Sequence, residues 1–197
     1  MPLVYHLSSQ HTVSVQRLCH ALQLIITKHH SLRTALVFDS DKNLLMQRVL
    51  AQKGDNKSDM LPIIESTYEV QEQLNQILHD EKRNPQLFDL AQGLVFRCHL
   101  VYYKHISTID LLSDKDLLIF NFHHALFDFP SMNIFLRDLN QAYTTGQLSN
   151  NDDTTLRYLD CKHHYVVYFS SLVHSRLSFR CCHRTTNAND GCKYVLA

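Results

Sequence analysis

Apolar positions along the chain fall into runs of two periods. From Val13 to Lys28 the residues Val15, Leu18, Cys19, Leu22, Ile25 and Ile26 share one face at helical spacing, which predicts an amphipathic helix with Ser14 as its N-cap. Thr34–Asp39 and Leu44–Val49 flank the polar cluster Asp39-Ser40-Asp41-Lys42-Asn43 and read as a β-hairpin. Residues 54–59 are expected to be a polar surface loop, and Pro62 opens an expected strand over Leu61–Ser66. Val70–Lys82 is a polar helix with Leu74, Ile77 and Leu78 on its buried side. Leu94–Tyr103 alternates imperfectly and reads as a core strand, paired with the apolar run Leu117–Phe122. That run is too short for a packed helix and is bounded by Asp114, Lys115 and Asp116. Ser131 is the expected N-cap of a helix with Met132, Phe135, Leu139, Ala142 and Tyr143 inward, and Gly146 is placed to end it. After a loop over 147–155, a last helix is expected around Tyr158–Val173. The mixture of strands and helices predicts an α/β fold, an α+β layered sandwich.

Residues 174–197 have no clear period, have four basic residues against one acidic and carry three of the six cysteines, Cys181, Cys182 and Cys192. The expected division is therefore a folded unit over residues 1–173 and an irregular tail over 174–197. Composition narrows the function classes. Lysine plus arginine equal aspartate plus glutamate at 19 each, so no charge imbalance recruits nucleic acid or an anionic membrane. No apolar stretch approaches the ~20 residues of a membrane span. The six cysteines lack CxxC pairs and metal-ligand spacing, and MPLVYHLSSQ does not read as a signal peptide. The expectation is a cytoplasmic protein with reduced thiols and no metal.

The candidate chemistry lies where the Leu117–Phe122 strand runs into a histidine pair. His123 and His124 are adjacent, so in extended backbone they point to opposite faces and divide the work, one packing and the other facing a cleft. Asp128 follows four residues after His124 and is placed to stiffen the turn.

This HHxxxD pattern resembles the active-site signature of the condensation domains of nonribosomal peptide synthetases, and more loosely that of chloramphenicol-acetyltransferase-like acyltransferases. The flanks extend the likeness. Lys28–Thr34, KHHSLRT, resembles an upstream RHxxLRT box, with Lys28 in place of its first arginine, and His29 and His30 are expected at the surface. Phe88–Arg97, FDLAQGLVFR, is similar to an FDL segment, Ser131–Gly146 to the helix after the histidines, and Leu156–Asp160 to a later element. The resemblance implies the N-terminal lobe of a chloramphenicol-acetyltransferase-like fold, a mixed sheet flanked by helices. It implies transfer between substrates carried on phosphopantetheine arms, with no tightly bound cofactor, and carrier-protein domains as partners.

In the implied reaction an acceptor amine attacks a donor thioester carbonyl, and His124 accepts or holds the amine proton. An α-amino group titrates near ~8, so about a tenth is already neutral at pH 7, a deficit of about 1.4 kcal/mol. Positioning and proton relay therefore suffice for an amine, whereas a hydroxyl acceptor needs a base far more. By the same resemblance His123 packs, and Asp128 forms a structural ion pair for which Arg33 is the named partner. Two departures bear on activity. Phe129 stands where the family motif has glycine, and it is followed by Pro130, which disfavours helical geometry in the residue before it. The resemblance also covers one lobe of a two-lobed family, so a second condensation lobe is an expected partner, and the chain alone is expected to be inactive. Two alternatives stand beside the condensation reading: a CoA-dependent O-acyltransferase using acyl-CoA, and a degenerate, non-catalytic docking lobe for carrier proteins.

Overall fold

A computed structural model describes residues 2–7, 12–41, 43–51, 62–104, 110–149, 179–181 and 193–196. Its elements run β1 (Pro2–Leu7), β2 (Val13–Ser14), α1 (Val15–Lys28), β3 (Thr34–Asp39), β4 (Leu44–Val49), β5 (Ile63–Tyr68), α2 (Gln71–Arg83), β6 (Phe96–Tyr103), β7 (Leu111–Leu112), β8 (Leu117–Phe122), α3 (Phe129–Thr145), β9 (Phe179–Cys181) and β10 (Lys193–Leu196). Six strands form one mixed sheet in the order β5-β6-β8-β1-β10-β9, and β2-β7 and β3-β4 are separate pairs. The β5–β6 and β1–β10 pairs are parallel, and the others in the sheet are antiparallel. The expected β6–β8 partnership is present, with Phe96 opposite Phe122 and Cys98 opposite Phe120.

Alternation along the strands sends side chains to two apolar layers. Leu3, Tyr5, Phe96, Cys98, Leu100, Leu118, Phe120 and Phe122 face α1 and α3, meeting Leu22 and Ile25 of the first helix and Phe135 and Leu139 of the second. Val4, Val101, Leu117 and Ile119 face the other way, against Leu74 of α2 with Ile77 and Leu78 beside it. Because β8 is buried on both sides, all six of its residues are apolar except Asn121. The two helices on the larger layer are locked together at their ends. Tyr143 of α3 accepts the Ser14 N–H on its hydroxyl at 2.9 Å, and its carbonyl accepts Arg17 Nη2 at 2.7 Å.

The α1 stripe, the Ser14 cap and the hairpin fall where the pattern places them. The third helix starts earlier than expected. Asp128, not Ser131, is its N-cap, accepting the Ser131 N–H at 3.0 Å, and Phe129 takes the first helical position despite the following proline. A proline is tolerated in the first turn because its missing N–H has no intrahelical partner there. Gly146 ends the helix at φ +71°, a left-handed conformation that glycine adopts without strain. Strands β1, β2, β7, β9 and β10 were not anticipated. Both β1 and β10 lie inside the sheet, and β1 is covered by apolar layers on both faces, which removes the period-2 signal. β9 and β10 come from the segment with no visible period. The helix expected around Tyr158–Val173 and the cysteine side chains beyond it lie outside the described residues.

Candidate active site

The β8 strand ends at Phe122, α3 begins at Phe129, and the histidine pair occupies the turn between them. The turn is fastened at both ends. The Phe127 ring stacks on Phe122 with centroids 3.8 Å apart and 11° between planes, and the Leu126 N–H donates to the His123 carbonyl at 3.1 Å. With Asp128 capping the helix, also through the Ser131 hydroxyl, the loop has little freedom to reshape.

Within it the two histidines differ in exposure. His124 is exposed, with its imidazole open to an approaching ligand. His123 is partly buried. Its N–H donates to the Val95 carbonyl at 2.9 Å, its Nδ1 accepts the Ala125 N–H at 3.2 Å, and its ring meets that of Phe88 edge-on at 5.3 Å. Burial, reinforced by the neighbouring His124, lowers the His123 pKa from its ordinary value. Phe88 and Val95 both belong to the FDLAQGLVFR segment, which thus forms the wall behind the pair. That segment turns on Gly93, at φ +71°, where a Cβ would lie 2.6 Å from Leu50 Cδ1. Asp89 and Leu94 exchange backbone hydrogen bonds across the turn.

The KHHSLRT segment reaches the site through α3. Asp138, fully buried, accepts from His29 Nε2 at 2.8 Å, from Lys28 Nζ at 2.9 Å and from the Arg137 guanidinium at 3.0 Å. Burial alone would raise its pKa, but the hydrogen bonds from His29, Lys28 and Arg137 outweigh it and hold the carboxyl well below the usual carboxylate range. His29, expected at the surface, is therefore an internal partner, while His30 is exposed. Arg33 lies in the single helical turn His30–Arg33, and its guanidinium donates to the Ile26 carbonyl at 3.2 Å and to that of Leu50. It thereby ties the end of α1 to the foot of the β3–β4 hairpin. Sequence reasoning missed Asp138, because a lone aspartate in a helix with an apolar stripe reads as solvated.

Comparison with known proteins agrees with this arrangement. The Condensation domain family matches residues 1–169 of the chain. The "Hybrid PKS-NRPS synthetase apdA" of Emericella nidulans is 28% identical over 163 residues, which is 81% of this chain and 4% of that protein. The "Hybrid PKS-NRPS synthetase pvhA" of Talaromyces variabilis is 31% identical over 138 residues, 69% of this chain and 3% of that protein. Among solved structures, the epimerization domain from the third module of tyrocidine synthetase B superposes with a TM-score of 0.57 at 16% identity, covering 74% of this chain and 30% of that one. The structure titled "Molecular basis for condensation domain-mediated chain release from the enacyloxin polyketide synthase" does so with a TM-score of 0.52 at 22% identity, covering 81% and 28%. The chain thus spans about 4% of such synthetases and under a third of such structures, and the structural likeness establishes the same layered fold. With that family model matching residues 1–169, this chain belongs to the condensation-domain family.

Proposed function

We propose that the chain serves amide-bond formation between acyl or aminoacyl groups carried as thioesters on the phosphopantetheine arms of carrier-protein domains, as part of nonribosomal peptide synthesis in the cytoplasm. The observation that carries this reading is the exposed imidazole of His124 at the end of an interior strand, on a turn that is stapled, capped and backed by the other family segments. In this reading the acceptor amine meets His124, which orients it and takes its proton as the tetrahedral intermediate forms and the donor thiol leaves. His123 keeps the turn in shape. Asp128 caps the following helix and is proposed to face the cation of Arg33. The working unit is proposed to be residues 1–173, to whose sheet β9 and β10 of the 174–197 segment add beside β1, and a second condensation lobe is proposed to complete the cleft over the histidine.

The test pairs the chain with a second condensation lobe, a carrier-bound donor thioester and either an amine or an alcohol acceptor, and detects product by mass spectrometry. An amide product that falls by about 10²-fold or more in His124→Ala is expected, a typical loss for a positioned acid–base group. Product from the alcohol alone would transfer the reading to O-acylation from acyl-CoA. A second reading has its own observation: Phe129 and Pro130 open α3 where the family motif places glycine. On that reading the lobe docks carrier domains without chemistry, and carrier binding unchanged in His124→Ala, with no product from either acceptor, would establish it.

A further inference from the structure

On the opposite side of the sheet from the larger apolar layer, a second group of polar side chains is assembled under α2. Glu81 of α2 is 4% exposed and His99 of β6 is 5% exposed. His99 Nδ1 lies 2.6 Å from Glu81 Oε1, and His99 Nε2 lies 2.8 Å from the hydroxyl of Ser66 on β5. A carboxylate only accepts, so Glu81 fixes the proton on Nδ1 of the neutral ring and leaves Nε2 to accept from Ser66. Glu81 is itself held by Arg97 Nη2 at 3.1 Å and by the amide of Asn121. From nucleophile to base to orienting carboxylate, the chain of contacts has the geometry of a serine–histidine–acid triad.

The surroundings of Ser66 add two requirements of that chemistry. Its side chain is only partly buried, although its histidine and glutamate partners are enclosed. It also lies on β5, the outermost strand of the sheet among the described residues. The Cys98 N–H donates to the Pro62 carbonyl and the Lys104 N–H to that of Tyr68, so even-numbered positions of the strand carry the ladder to β6. The amide of Thr67, immediately after the serine, therefore points away from β6, to the edge that no described strand covers, where an N–H can receive a developing oxyanion.

The geometry points to Ser66 as the nucleophile of a second site, independent of His124, that hydrolyses activated acyl esters and thioesters. Ser66 Oγ adds to the acyl carbonyl carbon as His99 Nε2 takes its proton. The tetrahedral intermediate then expels the thiol or alcohol, which leaves with that proton, and acyl-Ser66 remains. Water, deprotonated by the same imidazole, attacks the acyl-serine and releases the carboxylic acid, so the sum is thioester plus water to acid plus thiol.

The test treats the full chain with a fluorophosphonate probe and locates the adduct by peptide mass spectrometry, alongside hydrolysis of p-nitrophenyl acetate and ethyl thioacetate. The expected result is a single adduct on Ser66, formed about 10²-fold faster than any background labelling of Ser66→Ala, with hydrolysis of both substrates lost in that variant. His99→Gln should slow labelling at least about tenfold. Absence of an adduct on Ser66 in chain that gives a folded circular dichroism spectrum would overturn the proposal, as would equal labelling of folded His99→Gln. Should His99→Gln not fold, the site of the wild-type adduct and its competition by ethyl thioacetate decide the matter alone.

Discussion

His29, the residue that closes α1, and Asp138, in the middle of α3, share a 2.8 Å hydrogen bond across 109 residues of sequence. With Lys28 and Arg137 on the same carboxylate, this contact couples the segment upstream of the first hairpin to the helix that follows the histidine turn. Replacing Asp138 by asparagine strands two cations against a fully enclosed amide. Breaking one side of a buried pair costs about 3–5 kcal/mol, and the partial exposure of Lys28 and His29 places this site near the lower end. The expected loss in a urea titration is about 3 kcal/mol, equivalent to a fall in Tm of about 6–12 °C for a chain of this size.

Acid should weaken the fold in two stages. His123 has a lowered pKa, so as pH falls below the ordinary value of 6.5 the unfolded chain binds the proton first and stability declines. The Asp138 carboxyl is also lowered, so its contribution is complete above about pH 4 and is lost as pH falls further. Stability measured by denaturant at stepped pH should lose the first decline in His123→Gln and the second in Asp138→Asn.

Asp128 is joined to the histidine turn and holds the first turn of α3. Asp128→Ala should cost about 1 kcal/mol of stability, the usual loss of a side-chain N-cap, and Asp128→Asn much less. Denaturant midpoints of the two variants compare the effects directly. Equal losses would mean that the carboxylate charge, rather than the cap, is what the turn uses.

The core beneath the histidines is aromatic, and Phe135 is its hub. Its ring lies 5.0 Å from Phe122, 5.3 Å from Phe120, 5.8 Å from Phe96 and 6.2 Å from Phe127. Phe135→Ala removes edge-to-face contacts to several rings and leaves a cavity, with an expected cost of about 3–5 kcal/mol. Near-ultraviolet circular dichroism of the variant should lose much of its aromatic signal before secondary structure is affected.

The parts of this fold that could be read from the chain are those whose signal is local. The β8 run and the β3–β4 hairpin carry their own boundaries in charged and turn residues, and both lie where the pattern puts them. The α/β layering and the family follow from such segments. The imperfect alternation of β6 has a tertiary cause: Arg97 and His99 occupy positions that α2 covers, which is possible because Glu81 reaches across to them. No spacing within β6 announces a partner some 16 or 18 residues earlier in a helix. The same holds for Asp138, and for β1 and β10, whose places depend on neighbours remote in sequence. At the candidate site, the position of the histidine pair just past a buried strand is legible in the chain, whereas the support of His123 by Phe88 and Val95 needed the packed structure.

The position of β8, laddered to β6 on one side and β1 on the other, carries a further consequence. The amides of Leu118 and Ile119 should be among the slowest in the chain to exchange with deuterated water, and protection should collapse within a few residues beyond Phe122. The imidazole is thus mounted at the boundary between the stiffest backbone and the solvent. On the proposed function, a group fixed there cannot retune itself for acyl chains of different bulk, so selectivity would have to be written in the surfaces that meet the substrate.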